Sequence, residues 1–389
     1  MHGITLTKAP ADWEILQQEN GKASVALKGN FQVHPAAIEV GVERVTPVVR
    51  VMREDDNMTV IPWTNADHFT CNEKFQGEFE VTLEIPAGGP YRIDTSLETK
   101  STVPDLTWLY RGDCVLHLGV GNLFIIAGQS NSAGYSRDFC IDPPSMDVHL
   151  YRNRSKWDIA SHPMNESTFA GSLANEEMGV PGVSPYLAFG KTYGKMTGMP
   201  VGLIQTSLGG SPMERWNPKD GDLYLNMVDK IHETGGRYAG VLWYQGCSDT
   251  NPGPAEKYLE HFREYVEATR KELGYEIPFF TMQLNRQING INDECWGMVR
   301  DAQARAAKEI PGVSVLTTSN LSLCDGIHNT AQANVALGEK LAKQCAHVLN
   351  GKEEYQPPEL VKVERADEAE RKSFQLKGSG IWLKLTCDH

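Results

Sequence analysis

No run in this sequence approaches the roughly 20 consecutive apolar residues of a membrane-spanning helix. The N-terminus, MHGITLTKAPADWEIL, has neither the basic start nor the apolar core of a secretory signal. Cations are in short supply: 37 Lys and Arg stand against 50 Asp and Glu, a formal net charge of −13. Binding to a phosphate backbone needs clustered Lys and Arg, so nucleic acid is excluded as the natural partner and an anionic membrane surface is disfavoured. The eight cysteines (Cys71, Cys114, Cys140, Cys247, Cys295, Cys324, Cys345 and Cys387) include no CxxC pair. Their scatter fits neither a zinc site nor a dense disulfide framework. These absences lead us to expect a cytoplasmic protein with reduced thiols and no bound metal. A neutral polymer or small molecule is the natural partner.

What is present is a globular composition, 40% hydrophobic and 22% charged over 389 residues, enough for a sizeable core and two or three domains. Residues 22–98 carry short, β-branched, often alternating segments: KASVALKG, TPVVRVMRED, NMTVIPW, GEFEVTLEIP and YRIDTSL. Turn formers such as Asp55-Asp56-Asn57 and Ala87-Gly88-Gly89-Pro90 separate them, the pattern of an all-β sandwich or jelly roll. The texture changes near Gly119. Strand-like runs (NLFIIAG, VGLIQTS, YAGVLWYQG, IPFFTMQL, VSVLTTS) then alternate with helical ones, AEKYLEHFREYVEATRKELG being the longest of those between strands. Such alternation predicts an α/β domain with a parallel central sheet and helices on both faces, its site beyond the carboxyl ends of the strands. The expected domains are thus 1–118, all-β, and 119–350, α/β. After Gly351 a linker-like KEEYQPPELVK precedes the alternating KSFQLKGSGIWLKLTC. Two strands do not make an independent domain, so residues 351–389 are expected to rejoin the N-terminal sandwich or, as the alternative, to begin a further domain.

Four features fall just after expected strands of the α/β region. They are Ser130 after NLFIIAGQ, Gly209-Gly210 after VGLIQTSL, Gln245-Gly246 after GVLWY, and Asp325 with His328 in LCDGIHNTAQ. Each has an ordinary structural reading: an N-cap serine, a tight turn, a buried amide satisfying backbone, a helix-start histidine. Their joint placement at one rim is what acyl transfer requires: a nucleophile, an imidazole base, an acid to orient it, and donors for an oxyanion.

The blocks GQSN-x-AG at 128–134, GGSPMERW at 209–216, LWYQG at 242–246 and DGIH at 325–328 resemble the sialate O-acetylesterase group, with its related acetyl-xylan esterases, in the SGNH hydrolase superfamily. The resemblance covers roughly residues 119–350. It implies an SGNH-like three-layer domain, with the N-terminal β region as the accessory domain often attached to such enzymes. It also implies a carbohydrate O-acetylesterase acting on an acetylated sugar without a metal or organic cofactor. By position, Ser130 becomes the nucleophile, His328 the base and Asp325 its orienting acid. The backbone N–H groups of Ser130 and Gly210 (or Gly209, if the turn is shifted) and the Gln245 amide become the oxyanion donors. Two residues depart from the family pattern: Ser132 where Met is common, and Cys247 where Glu is usual. For the substrate face, Trp216, Trp243, Tyr244 and Trp296 are candidates for stacking on a sugar ring or for core or rim packing. Arg137 and Arg215 could meet a sugar carboxylate or be surface arginines. An acetyl-xylan esterase, or a noncatalytic glycan-binding protein with a relic hydrolase domain, are the competing readings.

Overall fold

The computed structural model describes residues 2–102, 108–166, 171–179, 181–351, 359–369, 381 and 383–388. The chain opens with β1 (Gly3–Lys8), β2 (Ile15–Gln17), β3 (Lys22–Gln32), the short α1 (Pro35–Glu39), β4 (Val42–Arg53), β5 (Thr59–Asn65), β6 (His68–Phe69), β7 (Gln76–Pro86), β8 (Gly88–Ser101) and β9 (Trp108–Gly128). Along β3, buried and exposed residues alternate as the pleat demands. Its inward residues Val25 and Leu27 belong to the sheet β1-β3-β7-β6. They share one core with Val49, Val51, Ile93, Leu97 and Val115, contributed by β4, β8 and β9.

β9 joins this region to the rest. Its first part pairs antiparallel with β8, and its last part, Asn122 to Gly128, pairs parallel with strands of the α/β sheet. The boundary expected at 118/119 therefore falls inside one continuous strand and needs correction. Glycines in this stretch serve close packing. A Cβ on Gly121 would lie 1.9 Å from the Pro200 carbonyl oxygen, and one on Gly119 would lie 2.3 Å from Ile15 Cδ1. Gly121→Ala is expected to cost about 1–3 kcal/mol through overpacking and to lower Tm by a few degrees, read by calorimetry.

The α/β part continues with α2 (Ser130–Ala133), β10 (Val148–Arg152), β11 (Lys156–Ile159), α3 (Tyr186–Thr197), β12 (Val201–Gln205), α4 (Asp222–Glu233), β13 (Gly240–Tyr244), α5 (Pro254–Leu273), β14 (Phe279–Met282), α6 (Asp293–Glu309), β15 (Val313–Leu316) and α7 (Ala331–Asn350). The strands run β11-β10-β12-β9-β13-β14-β15, parallel except for the edge strand β11. Successive residues of β9 serve opposite faces. Phe124 and Ile126 pack with Phe189, Tyr193 and Leu337 of α3 and α7. Ile125 and Ala127 pack with Met227, Phe262, Tyr265 and Val299 of α4, α5 and α6. The β10–β11 hairpin was not expected, because His149 and Arg152 give β10 a polar look although both are buried.

From β9 the chain moves outward to β10, returns to β12, and crosses to β13 on the other side of β9. The connections reverse beside β9, and in open α/β sheets the crevice beyond such a reversal is the ligand site. The C-terminal expectation also needs correction. β16 (Glu359–Arg365) and β17 (Leu383–Asp388) pair with each other, antiparallel, in a sheet of their own and not with the N-terminal strands. Most of KSFQLKGSGIWLKLTC lies outside the described residues.

Candidate active site

Ser130 stands where β9 ends. Gly128 takes φ +129°, and a Cβ there would lie 2.3 Å from the Tyr244 carbonyl oxygen, so glycine is required for β9 to lie this close to β13 as it turns. The Gln129 N–H donates to that carbonyl at 3.0 Å. The Gln129 side-chain oxygen accepts from the backbone N–H groups of Gly246 (2.8 Å) and Ser248 (3.3 Å). Ser130 then opens α2, only 4% exposed. Ser132, the second hydroxyl of the motif, points the other way. It is fully buried, donating to the Ala127 carbonyl at 3.1 Å and lying 2.7 Å from the Tyr186 hydroxyl.

The loop before α7 brings the imidazole. His328 Nε2 lies 2.8 Å from Ser130 Oγ, and Nδ1 lies 2.7 Å from Asp325 Oδ2. The other Asp325 oxygen accepts from the N–H groups of Ile327 (2.9 Å) and His328 (2.8 Å), so the carboxylate shapes the loop as well as orienting the ring. Partial burial works against ionisation of Asp325, but these backbone donors and the His328 ring outweigh it and hold the carboxyl below its usual range. Asn131 ties this loop to α2: its side-chain oxygen accepts from Asn329 N–H at 3.0 Å, and its amide donates to the Ile327 carbonyl at 3.2 Å. Thr330 caps α7 by accepting from Ala333 N–H. Asn131 lies within GQSN, so its presence was legible there; its task of pinning a loop nearly 200 residues away was not.

The turn after β12 supplies the third side. Leu208 N–H donates to the Gly128 carbonyl at 3.0 Å, which seats the turn beside Ser130. Gly210 has φ +68°, and a Cβ there would meet nothing within 4 Å. The N–H groups of Ser130 and Gly210 have no acceptor among the described residues. Gly209 N–H, by contrast, donates to the buried Glu177 at 3.0 Å.

Several expected contacts need correction. The Gln245 side chain is wholly buried, and its Nε2 donates to the Ser211 carbonyl (3.1 Å) and to Asp249 (2.5 Å). Both amide hydrogens are thereby used within the protein, and Asp249 also accepts from Met213 N–H. Gln245 thus braces the 208–213 turn and offers no donor to an oxyanion. Trp216, Trp243 and Tyr244 are fully buried and Trp296 nearly so. Trp216 packs edge-on to Trp243 and donates to Ser211 Oγ, while Trp296 donates to the Asn285 carbonyl. None of these rings presents a face to a sugar, because the inward side of the sheet and its covering helices claims them. Arg215 already holds a carboxylate, the bidentate Asp222, and also donates to the Ala174 carbonyl. Arg137 is exposed. Burial, with the nearby Asp249 and Asp325 charges, pushes the Cys247 thiol up to about 12, far from a thiolate nucleophile. Among the described residues no cluster of three or more His, Cys, Asp or Glu is arranged to hold a metal ion, and no described helix is long and apolar enough to cross a membrane.

The Gln245 geometry makes a prediction. Gln245→Ala leaves the buried Asp249 short of a donor, a loss of roughly 1–3 kcal/mol. It should therefore lower Tm by several degrees while kcat of the folded enzyme stays within about ten-fold of wild type, below the 100- to 1000-fold typical of a lost oxyanion donor. Thermal melts and initial rates on the same preparation decide between the two.

A parallel sheet with helices on both faces, carrying a serine–histidine–aspartate line at the end of its switch-point strand, fits an SGNH-like hydrolase fold. Residues 120–347 match the family described as "Carbohydrate esterase, sialic acid-specific acetylesterase", and the chain belongs to that family. A probable carbohydrate esterase of Arabidopsis thaliana is 26% identical over 245 residues, 57% of this chain and 88% of that protein. A solved A. thaliana structure matches with TM-score 0.51 and 25% identity, covering 59% of this chain and 99% of the other. A carbohydrate acetylesterase from Xanthomonas citri matches with TM-score 0.55 over 93% of this chain and 79% of its own; at 20% identity that likeness concerns the fold.

Proposed function

We propose that this protein removes acetyl groups from sugar hydroxyls, with O-acetylated sialic acid as the substrate, through an acetyl-Ser130 intermediate. The observation that carries the reading is the hydrogen-bonded line from Asp325 through both ring nitrogens of His328 to Ser130 Oγ, in a chain of the carbohydrate esterase family. Ser130 Oγ attacks the acetyl carbonyl as its proton passes to His328 Nε2. Asp325 keeps the other ring proton on Nδ1 and stabilises the imidazolium that forms. The N–H groups of Ser130 and Gly210 face the developing oxyanion. His328 then protonates the departing sugar oxygen. Water, deprotonated by the same nitrogen, attacks the acetyl group and releases acetate.

The test is acetate release measured side by side on O-acetylated sialic acids and acetylated xylan, with p-nitrophenyl acetate and longer acyl esters for comparison. Faster turnover of the sialic acid ester, and of acetyl over longer chains, is expected. Preference for xylan moves the substrate to neutral hemicellulose. Absence of turnover on every ester would leave a glycan-binding protein.

A further inference from the structure

Glu177 is a second carboxylate beside the serine–histidine–aspartate line, only 3% exposed and outside every motif of the sequence. One of its oxygens accepts from the Tyr135 hydroxyl. The other accepts from Gly209 N–H at 3.0 Å and from the Asn165 amide at 2.7 Å. Tyr135 in turn stacks on the His328 ring, with centroids 5.5 Å apart and planes 29° apart. The turn rests directly on this pair: a Cβ on Gly209 would lie 2.5 Å from Tyr135 Oη and 2.7 Å from Glu177 Oε1. Two amides link this carboxylate to a buried amine. Asn153 donates to Asn165 at 2.5 Å, and Lys230 Nζ, 2% exposed and pushed down to about 7 by burial, donates to Asn153 at 3.5 Å and to the Gln205 carbonyl at 2.7 Å.

We propose that Glu177 and Tyr135 are positioning residues for acyl transfer at Ser130, one buried carboxylate holding both the turn that carries the Gly210 N–H and the ring that backs the His328 imidazole. The proposal rests on the Ser130 reading. In the attack step two charges appear together, an oxyanion facing Gly210 and an imidazolium at His328. A turn clamped at Gly209 meets the first without reorganising. A phenol donating to a carboxylate has an electron-rich face, which attracts imidazolium more than neutral imidazole. Both contributions grow only as the transition state forms, so they act on kcat and leave KM alone. Three donors already engage the Glu177 charge, which keeps its repulsion of the oxyanion small.

The test uses p-nitrophenyl acetate on Tyr135→Phe, Tyr135→Leu, Glu177→Gln and Ser130→Ala, with active sites counted by a serine-directed phosphonate in the three variants that keep Ser130. Tyr135→Phe keeps the ring and loses the tie, with an expected fall in kcat of about 3- to 10-fold. Tyr135→Leu loses the ring as well and should fall further, by roughly 10- to 50-fold. Glu177→Gln keeps one accepting oxygen in place of two, so the Tyr135 tie and the Gly209 clamp no longer both stand, and it should lose about 10- to 100-fold, the scale of a small misplacement of reacting groups. KM should stay within about two-fold throughout. A purely structural role would lower Tm and the fraction of titratable sites while kcat per site stayed at wild type, which would overturn the proposal. Should Glu177→Gln not fold, the graded loss from Tyr135→Phe to Tyr135→Leu carries the test alone. An active Ser130→Ala enzyme overturns the Ser130 reading and this one with it. An inactive Ser130→Ala beside Tyr135 and Glu177 variants with unchanged kcat overturns only the positioning role.

Discussion

Ser130→Ala is expected to lower kcat by roughly 10⁴- to 10⁶-fold, the range seen when the nucleophile of a serine–histidine–acid system is removed, with residual turnover from substrate binding and the oxyanion donors. The fold should be untouched. Ser130 lies at the head of α2 with its hydroxyl toward His328, so removing one oxygen opens no core cavity. Tm should therefore stay within about 2 °C of wild type, the usual effect of a substitution that disturbs neither core nor cap. A phosphonate directed at activated serines should mark Ser130 alone. Ser132 is sealed beneath Tyr186, and the Cys247 thiol is held protonated. Wild-type turnover in a folded Ser130→Ala enzyme would remove the assignment, and label on another residue would relocate it.

Asp325→Asn should cost about 10³- to 10⁴-fold in kcat with KM little changed, because an amide can favour the wrong imidazole tautomer and cannot stabilise the imidazolium. The same residue has a pH signature. Its carboxyl titrates below the usual range in the folded protein, and an unperturbed aspartate titrates near 3.9. A group with a lowered folded pKa contributes stability that is fully present above the unfolded value and is lost as pH falls through the folded one. The Tm difference between wild type and Asp325→Asn should then shrink as pH falls from about 5 through 4 and below. Asp325 is 44% exposed, so solvent screening keeps that difference small. A gap that grew as pH fell below about 5 would mean that the carboxylate is not favoured by folding.

Much of this was legible in the amino-acid order. Period-two alternation in KASVALKG and the buried run NLFIIAG mark strands through side-chain partition alone. Motifs at the carboxyl ends of such strands mark a rim, so Ser130, Asp325 and His328 could be named before their contacts were known. The polar β10 escaped because its burial comes from partners distant in sequence. His149, for example, lies within hydrogen-bonding distance of the Trp13 carbonyl.

Sequence by itself determined which residues end the strands and which chemistry they could support. Only the tertiary structure decided where each polar group's hydrogen bonds go. Gln245 looked like a donor for substrate, but the buried Asp249 and the Ser211 carbonyl claim its amide. The aromatic residues were open to sugar stacking or to core packing, and the packed layers on one side of the sheet hold Trp216 and Trp243. Glu177, in no motif, reaches the site because an irregular segment folds it against Gly209 and Tyr135. A buried donor or acceptor must be satisfied and an apolar ring is claimed by whichever layer packs on it; in each case the partner depends on a three-dimensional proximity that local order does not encode.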